Sequence, residues 1–133
     1  MPLDDNQEER EKMVQTPEQI LKQAVLDAKK LDKESQKALK LKDAEGFKNK
    51  LQQRARIIAE LPEKVSQAES LTGLKVPEDE METLRFLQYF AQKALERGNA
   101  YALGVILIDT KFKQKGGPNL LEQLVNRLHP QKP

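Results

Sequence analysis

The sequence predicts an all-α protein: an up-and-down helical bundle of about five to six helices in one domain of 133 residues. Three observations favour this fold class. Apolar residues recur at the spacing of amphipathic helices along most of residues 16–129. Helix-start and helix-stop residues separate these apolar series from one another. The apolar run of residues 103–108 has no second strand with which it can pair.

The two ends of the chain are expected to lie outside this domain. Residues 1–15 contain five acidic and two basic side chains but few bulky apolar ones. Such a segment buries too little surface to offset the entropy that it loses on ordering. The sequence therefore predicts a disordered acidic arm over residues 1–15, a single helical-bundle domain over residues 16–129 and a tail over residues 130–133.

The first helix is predicted to run from Pro17 to about Leu41. Thr16 is a suitable N-cap, Pro17 takes the first helical position, and Gln19 completes a capping box. The apolar residues that follow recur with a period near 3.6. They are Ile20, Leu21, Ala24, Ala28, Leu31, Ala38 and Leu39.

A second helix is predicted to begin after the cap residue Asp43. Its buried stripe is formed by Phe47, Leu51, Ala55, Ile58 and Leu61. Pro62 lacks a backbone donor and clashes with the preceding turn, so we expect the helix to end or bend there. A short helix then continues from Pro62 to Ser70, and Thr72 and Gly73 stop it.

The third helix is predicted to have Pro77 in its first turn, together with three acidic residues, and to end at Gly98. Its residues on the apolar side form a broad face. They are Met81, Leu84, Leu87, Tyr89, Phe90, Ala94 and Leu95.

Two further helices are predicted in the last third of the chain. Asn99 is expected to cap a helix over residues 100–112 that is buried nearly all round. After a glycine-rich loop at residues 115–118, a last helix starts at Pro118 or Asn119. With these two helices the predicted bundle has five main helices, and the short helix after Pro62 is the sixth.

An offset of 56 residues relates two parts of the chain. The series from Gln36 to Leu39 recurs from Gln92 to Leu95, and the cap residue Asp43 corresponds to Asn99. A structural pseudo-repeat of this kind predicts two stacked helical hairpins. The alternative is a chance match, because the chain is rich in Lys, Gln, Ala and Leu.

Composition excludes several classes of chemistry. The chain has no cysteine and one histidine, which excludes disulfides, thiolate catalysis and a zinc site built from histidines. No Glu-x-x-His pair and no Walker-type glycine loop occurs, so we expect no metal, no cofactor and no enzymatic activity. No run of 18 apolar residues is present, and the N-terminus does not resemble a signal peptide. These features fit a cytoplasmic protein without a membrane span.

The last helix carries the first candidate binding surface. Its apolar stripe is formed by Leu120, Leu121, Leu124, Val125 and Leu128. A stripe of this kind is too apolar to face water. It packs either on the hairpin of residues 77–113 or on another chain, as a possible protein interface, and we favour packing within the chain because residues 103–108 need a cover.

Lysines form the second candidate surface. Lys22, Lys29, Lys33 and Lys40 lie within about 40° of one another on the first helix. The loop after the buried helix adds Lys111, Lys113 and Lys115. Together they suggest contacts with an anion or a nucleic acid. The alternative is an ordinary solvated face, which is favoured by neighbouring acidic residues and by the absence of arginine and aromatic residues in the stripe.

Single residues add little to these candidates. Asp109 is expected to pair with Arg85 or Arg97, and His129 to interact with the end of the last helix. The sequence therefore predicts a non-catalytic helical binding module that acts through protein–protein contacts as an adaptor, chaperone or subunit. The alternative function is an anion- or nucleic-acid-binding protein that uses the lysines.

Overall fold

The computed structural model describes residues 15–99, 102–103 and 119–128. Across these residues the chain forms four helices and no strand: α1 (Pro17–Lys40), α2 (Ala44–Thr72), α3 (Glu78–Arg97) and α4 (Leu120–Leu128). The all-α fold class is confirmed. Ala102 and Leu103 are also helical. Residues 1–14, 100–101, 104–118 and 129–133 lie outside the described residues, and they include the rest of the predicted buried helix and the predicted loop of residues 115–118. Asp109 and His129 are among them.

Helix α1 begins as predicted. The Thr16 hydroxyl accepts a hydrogen bond from the Gln19 backbone N–H at 3.1 Å, and the Gln19 side chain accepts from the Thr16 backbone N–H at 2.9 Å. This reciprocal capping box satisfies two helix-terminal donors. At the start of α2, the Asp43 carboxylate accepts from the Gly46 backbone N–H at 2.9 Å, which confirms Asp43 as the cap.

Of the two outcomes expected at Pro62, a helix end or a bend, the helix end is wrong, and so is the separate short helix from Pro62 to Ser70. Helix α2 continues through Pro62 to Thr72. Proline in a helix interior costs about 3 kcal/mol. The flanking Leu61 and Val65 are both fully buried, and burial of each such side chain contributes about 1.5–3 kcal/mol. Tertiary packing on both sides of Pro62 therefore outweighs the local preference to stop.

Both predicted glycine stops are confirmed. Gly73 and Gly98 have φ angles of 75° and 66°, in the left-handed region, and each donates its N–H to a carbonyl of the preceding turn. Glycine adopts this conformation without the steric penalty of a Cβ atom, which explains why α2 and α3 end where they do.

A single core joins the four helices. Helix α2 packs against both α1 and α3, and α4 packs against α1. The connections of residues 41–43 and 73–77 are short, so α1, α2 and α3 run antiparallel in succession. Fully or almost fully buried side chains from every helix meet in the core: Leu21, Ile58, Leu61, Val65, Leu84, Leu87, Leu103, Leu121 and Leu124.

The pseudo-repeat stays a prediction. The Asn99 side chain accepts from the Ala102 backbone N–H at 2.7 Å, the same cap geometry and spacing as Asp43 and Gly46. However, most of the helix that would complete the second hairpin lies outside the described residues. The described residues therefore match the repeat at its caps without testing the hairpin as a whole.

Candidate protein-binding site

An apolar groove of about 590 Å³ lies between the first half of α1 and the second half of α2, hereafter the α1–α2 groove. Its apolar lining consists of Ile20, Ala24, Ile57, Leu61, Ala68 and Leu71. The lining residues Ala24 of α1 and Ala68 of α2 are both buried and small. Because neither fills the space between the helices as a leucine would, the surface is concave there.

The rim of the groove is polar. It is formed by Gln15, Gln23, Asp27, Lys64 and Gln67. Gln23 donates a hydrogen bond to the Asp27 carboxylate at 2.9 Å, and the Lys64 ammonium lies 3.8 Å from a Glu60 carboxylate oxygen. An apolar floor with a carboxylate on one helix and an ammonium on the other suits an amphipathic segment whose polar sides reach the rim.

A second exposed apolar feature lies on α3. Phe86, Tyr89 and Phe90 are 63%, 55% and 45% exposed, and we call these three residues the aromatic ridge. The Phe86 and Phe90 ring centroids are 4.8 Å apart in an edge-to-face arrangement. The Lys93 ammonium lies 5.6 Å from the centroid of the Tyr89 ring. Contiguous exposed aromatic side chains are typical of interaction surfaces.

The ridge corrects the broad apolar face predicted for the third helix. The sequence placed Tyr89 and Phe90 on the same face as Leu84, but Leu84 is buried and the two aromatic residues are exposed. At ~100° per residue, Phe90 lies about 120° around the helix from Leu84. Helix α3 therefore has a buried face toward the core and a separate apolar surface toward solvent.

The C-terminal stripe is directed into the chain's own core. Leu121 and Leu124 are fully buried, Val125 is buried, and Leu120 and Leu128 pack at the edge of the core. Helix α4 lies against α1, where Glu122 forms an ion pair with Lys29 at 2.8 Å. At its other end, Arg127 pairs with Glu80 of α3 at 2.9 Å. The stripe therefore packs within the chain, as the sequence favoured, but the helix that it mainly contacts is α1 and not the predicted hairpin of residues 77–113, most of whose second helix lies outside the described residues.

Glu122 also begins helix α4. Its backbone N–H donates to the Asn119 side chain at 2.8 Å, and its carboxylate accepts from the Asn119 backbone N–H at 3.2 Å, which forms a capping box. Burial acts to raise the pKa of Glu122, but the bonds from Lys29 and from Asn119 together outweigh it. The pKa therefore lies below its usual value of 4.5.

This lowered pKa makes α4 sensitive to acid. The Glu122 carboxylate stabilises the folded chain above pH 4.5, and this contribution is lost as the pH falls through the lowered pKa. Glu122→Gln is therefore expected to lose less stability than the wild type between pH 5 and pH 3, as measured by urea unfolding. Glu96→Gln, at an exposed carboxylate, is the control and should follow the wild type. Parallel curves for Glu122→Gln and the wild type would contradict the prediction.

The four predicted lysines on α1 differ in their contacts. Lys22, Lys29, Lys33 and Lys40 are all exposed on α1, but Lys29 is paired with Glu122. Lys33 and Lys40 border a shallow depression of about 380 Å³ that Lys37 and Asp32 also line. The other three predicted anion contacts, Lys111, Lys113 and Lys115, lie outside the described residues.

A buried ion pair was not predicted from the sequence. Arg54 of α2 is 5% exposed and forms an ion pair with Asp32 of α1. It also donates to the backbone carbonyl of Leu103 at 2.8 Å. Burial raises the pKa of Asp32 above its usual value, and the neighbouring Arg54 offsets this only in part. Through these two contacts Arg54 links α2 to α1 and to the backbone at Leu103, which follows α3 in the chain.

The described residues contain no group of three histidine, cysteine or acidic side chains arranged to hold a metal ion. None of their helices is long and apolar enough to cross a membrane. Family models, curated proteins and solved structures were each compared with the chain, and none of the three comparisons gives a match. The surfaces from which a function can be inferred are the α1–α2 groove and the aromatic ridge.

Proposed function

We propose that this chain is a non-catalytic binding module, an adaptor, chaperone or subunit, that holds an amphipathic helix of a protein partner in the α1–α2 groove. The main support is the groove itself, whose wall includes Leu71 with 72% of its surface exposed. Ile20 and Ile57 are only partly buried beside it. A partner that covers these side chains gains about 25 cal/mol for each Å² of apolar surface removed from water.

The dimensions of the groove suit a helix. Its α2 wall extends from Ile57 to Leu71, and 14 residue steps at ~1.5 Å each give a length of roughly 21 Å, or about four turns. A helix of that length presents apolar anchors at every third or fourth residue to a groove of this type. The charged rim residues Asp27 and Lys64 lie on opposite walls and favour one orientation of the bound helix.

The lining residues favour binding over catalysis. They comprise aliphatic side chains, glutamines, one carboxylate and one ammonium, with no histidine and no hydroxyl nucleophile among them. The Asp27 carboxylate already accepts a hydrogen bond from Gln23. General acid–base or nucleophilic catalysis needs a pair of groups within hydrogen-bond distance of a reacting atom, and the lining of the groove does not supply such a pair.

Leu71→Lys tests this proposal against a matched control. Leu71 and Leu41 are 72% and 71% exposed, and each lies at the C-terminal end of a helix, where lysine is compatible with the helix dipole. Each substitution is expected to change the free energy of unfolding by no more than about 0.5 kcal/mol. Leu71→Lys should abolish the capture of proteins by the immobilised chain from a native lysate, and Leu41→Lys should not.

Quantitative mass spectrometry of the captured proteins, with thermal melting of both variants, gives the result. The groove proposal is wrong if Leu71→Lys captures the same proteins as the wild type. Repeating the capture after nuclease treatment and at two salt concentrations separates protein contacts from binding through nucleic acid, which weakens steeply with salt.

A further inference from the structure

We propose that copies of this chain associate head to tail, with the aromatic ridge of one copy lying in the α1–α2 groove of the next. This inference rests on the proposed function, because it names the partner of the groove. Two apolar surfaces of the described residues carry it: the exposed row of aromatic rings on α3 and the groove between α1 and α2.

The ridge has the pattern of a helix that binds in a groove. Phe86, Tyr89 and Phe90 occupy positions i, i+3 and i+4 of α3, and Lys93 follows at i+7. Such spacing places anchors along one side of a helix. The opposite face of α3 is buried, with Leu84 and Leu87 in the core, so the helix is already ordered when it meets a partner. Preorganisation removes the entropy cost that a disordered segment would have on binding.

One register matches the ridge to the α1 wall of the groove in length and charge. The ridge from Phe86 to Lys93 and the α1 wall from Ile20 to Asp27 each extend over seven residue steps, or roughly 10 Å. With the two helices parallel, Lys93 lies beside Asp27. Phe90 then lies over Ala24, whose small side chain leaves room for a ring.

The exposed area indicates a weak association. Aromatic side chains bury about 150–250 Å² each, so the exposed parts of the three rings amount to roughly 250–400 Å². With a similar area from the groove, the interface stays below about 1,200 Å², which is the range of transient complexes. The assembly is therefore expected to depend on protein concentration.

The arrangement is heterologous, since the ridge of one copy contacts the groove of another. Each copy in a dimer retains one free ridge or one free groove, so association continues into longer oligomers or closes into a ring. A symmetric ridge-to-ridge dimer stops at two copies. The two arrangements therefore respond differently when variants are mixed.

Sedimentation velocity of the full chain from micromolar to submillimolar concentration tests the proposal. The ridge variant is Phe86→Gln/Phe90→Gln, and the groove variant is Asp27→Lys/Leu71→Lys. Circular dichroism melting checks that both are folded, and Leu41→Lys is the matched control. We expect the wild type and Leu41→Lys to gain mass with concentration. Each variant alone should remain monomeric, whereas an equimolar mixture should form a one-to-one dimer that does not grow.

Three results would overturn the head-to-tail proposal: a monomeric wild type throughout the range, self-association of the groove variant alone, or a mixture of the variants that stays monomeric. The proposed function is judged separately by protein capture. If the wild type is monomeric but Leu71→Lys loses captured proteins that Leu41→Lys retains, the groove binds a different protein and not a second copy of this chain. The binding-module proposal then stands. If the wild type is monomeric and capture is also unchanged, both proposals fail.

Discussion

Leu124→Ala is expected to lower the free energy of unfolding by about 2–5 kcal/mol. Leu124 is fully buried in the middle of helix α4, which has nine residues. An isolated helix of this length is not stable in water, so α4 depends on the apolar side chains that attach it to the core. Removing Leu124 takes away both its burial and part of the attachment of the helix to α1.

Asn126→Ala provides the control for this prediction, because Asn126 is an exposed residue of the same helix. It should change the free energy of unfolding by no more than about 0.5 kcal/mol. Urea unfolding measures both variants, and sedimentation at one fixed concentration shows whether assembly changes. If Leu124→Ala melts like the wild type but alters assembly or partner capture, α4 is an interface and the packing described above does not persist in solution.

Local signals in the sequence predicted the ends of the helices well. The capping box at Thr16 and the stops at Gly73 and Gly98 depend on backbone conformation and on hydrogen bonds to residues a few positions away. Such interactions are visible in a short window of sequence. Pro62 shows the limit of the same reasoning, because burial of its neighbours against distant residues outweighs a strong local signal.

The candidate binding surfaces could not be predicted in the same way. The groove is lined by Ala24 of α1 and Ala68 of α2, and each alanine alone is an ordinary helical residue. The aromatic ridge is exposed because α2 packs on a different side of α3, which periodicity within α3 does not reveal. Both surfaces depend on how helices pair, so they become recognisable only once the neighbours are known.

Arg54 was missed for a related reason. It lies one position before Ala55, which belongs to the apolar stripe of α2. A charged residue beside such a stripe is usually interpreted as the edge of the solvent-exposed face of the helix. Its partner Asp32 is on another helix, 22 residues away. A signal was present, since Arg54 follows Leu51 at helical spacing, but its meaning depended on the pairing of α1 with α2.

Asp32→Ala is expected to cost about 3 kcal/mol of unfolding free energy, the lower end of the range for breaking a buried ion pair. The substitution leaves the guanidinium of Arg54 in a buried site without its carboxylate. Because the Asp32 side chain itself is 38% exposed, water can enter the vacated space and limit the penalty. Glu96→Ala, which breaks an exposed ion pair with Lys93, should cost no more than about 0.5 kcal/mol.

Adding Arg54→Met to Asp32→Ala should bring the free energy of unfolding back to within about 1 kcal/mol of the wild type. The second substitution removes the buried charge and keeps an unbranched apolar side chain in its place. The raised pKa of Asp32 supports this expectation: desolvation of the carboxylate outweighs the attraction of Arg54, so the pair adds little net stability. It also fixes the sign of the pH effect. The folded chain holds the Asp32 proton more tightly than the unfolded chain, so the free energy of unfolding falls as Asp32 ionises with rising pH. Asp32→Ala and the double variant have no carboxylate at this position, so neither shows this fall.

A double-mutant cycle in urea, with Arg54→Met as the second single variant, measures the coupling directly. The expected result is a double variant more stable than Asp32→Ala alone, because the cost of Asp32→Ala comes from leaving the buried Arg54 guanidinium without the Asp32 carboxylate. Arg54→Met alone should cost less than Asp32→Ala, since the carboxylate that remains is partly open to water. If the two single effects simply add in the double variant, the ion pair is not coupled, and the stability of the α1–α2 interface comes from apolar packing around it.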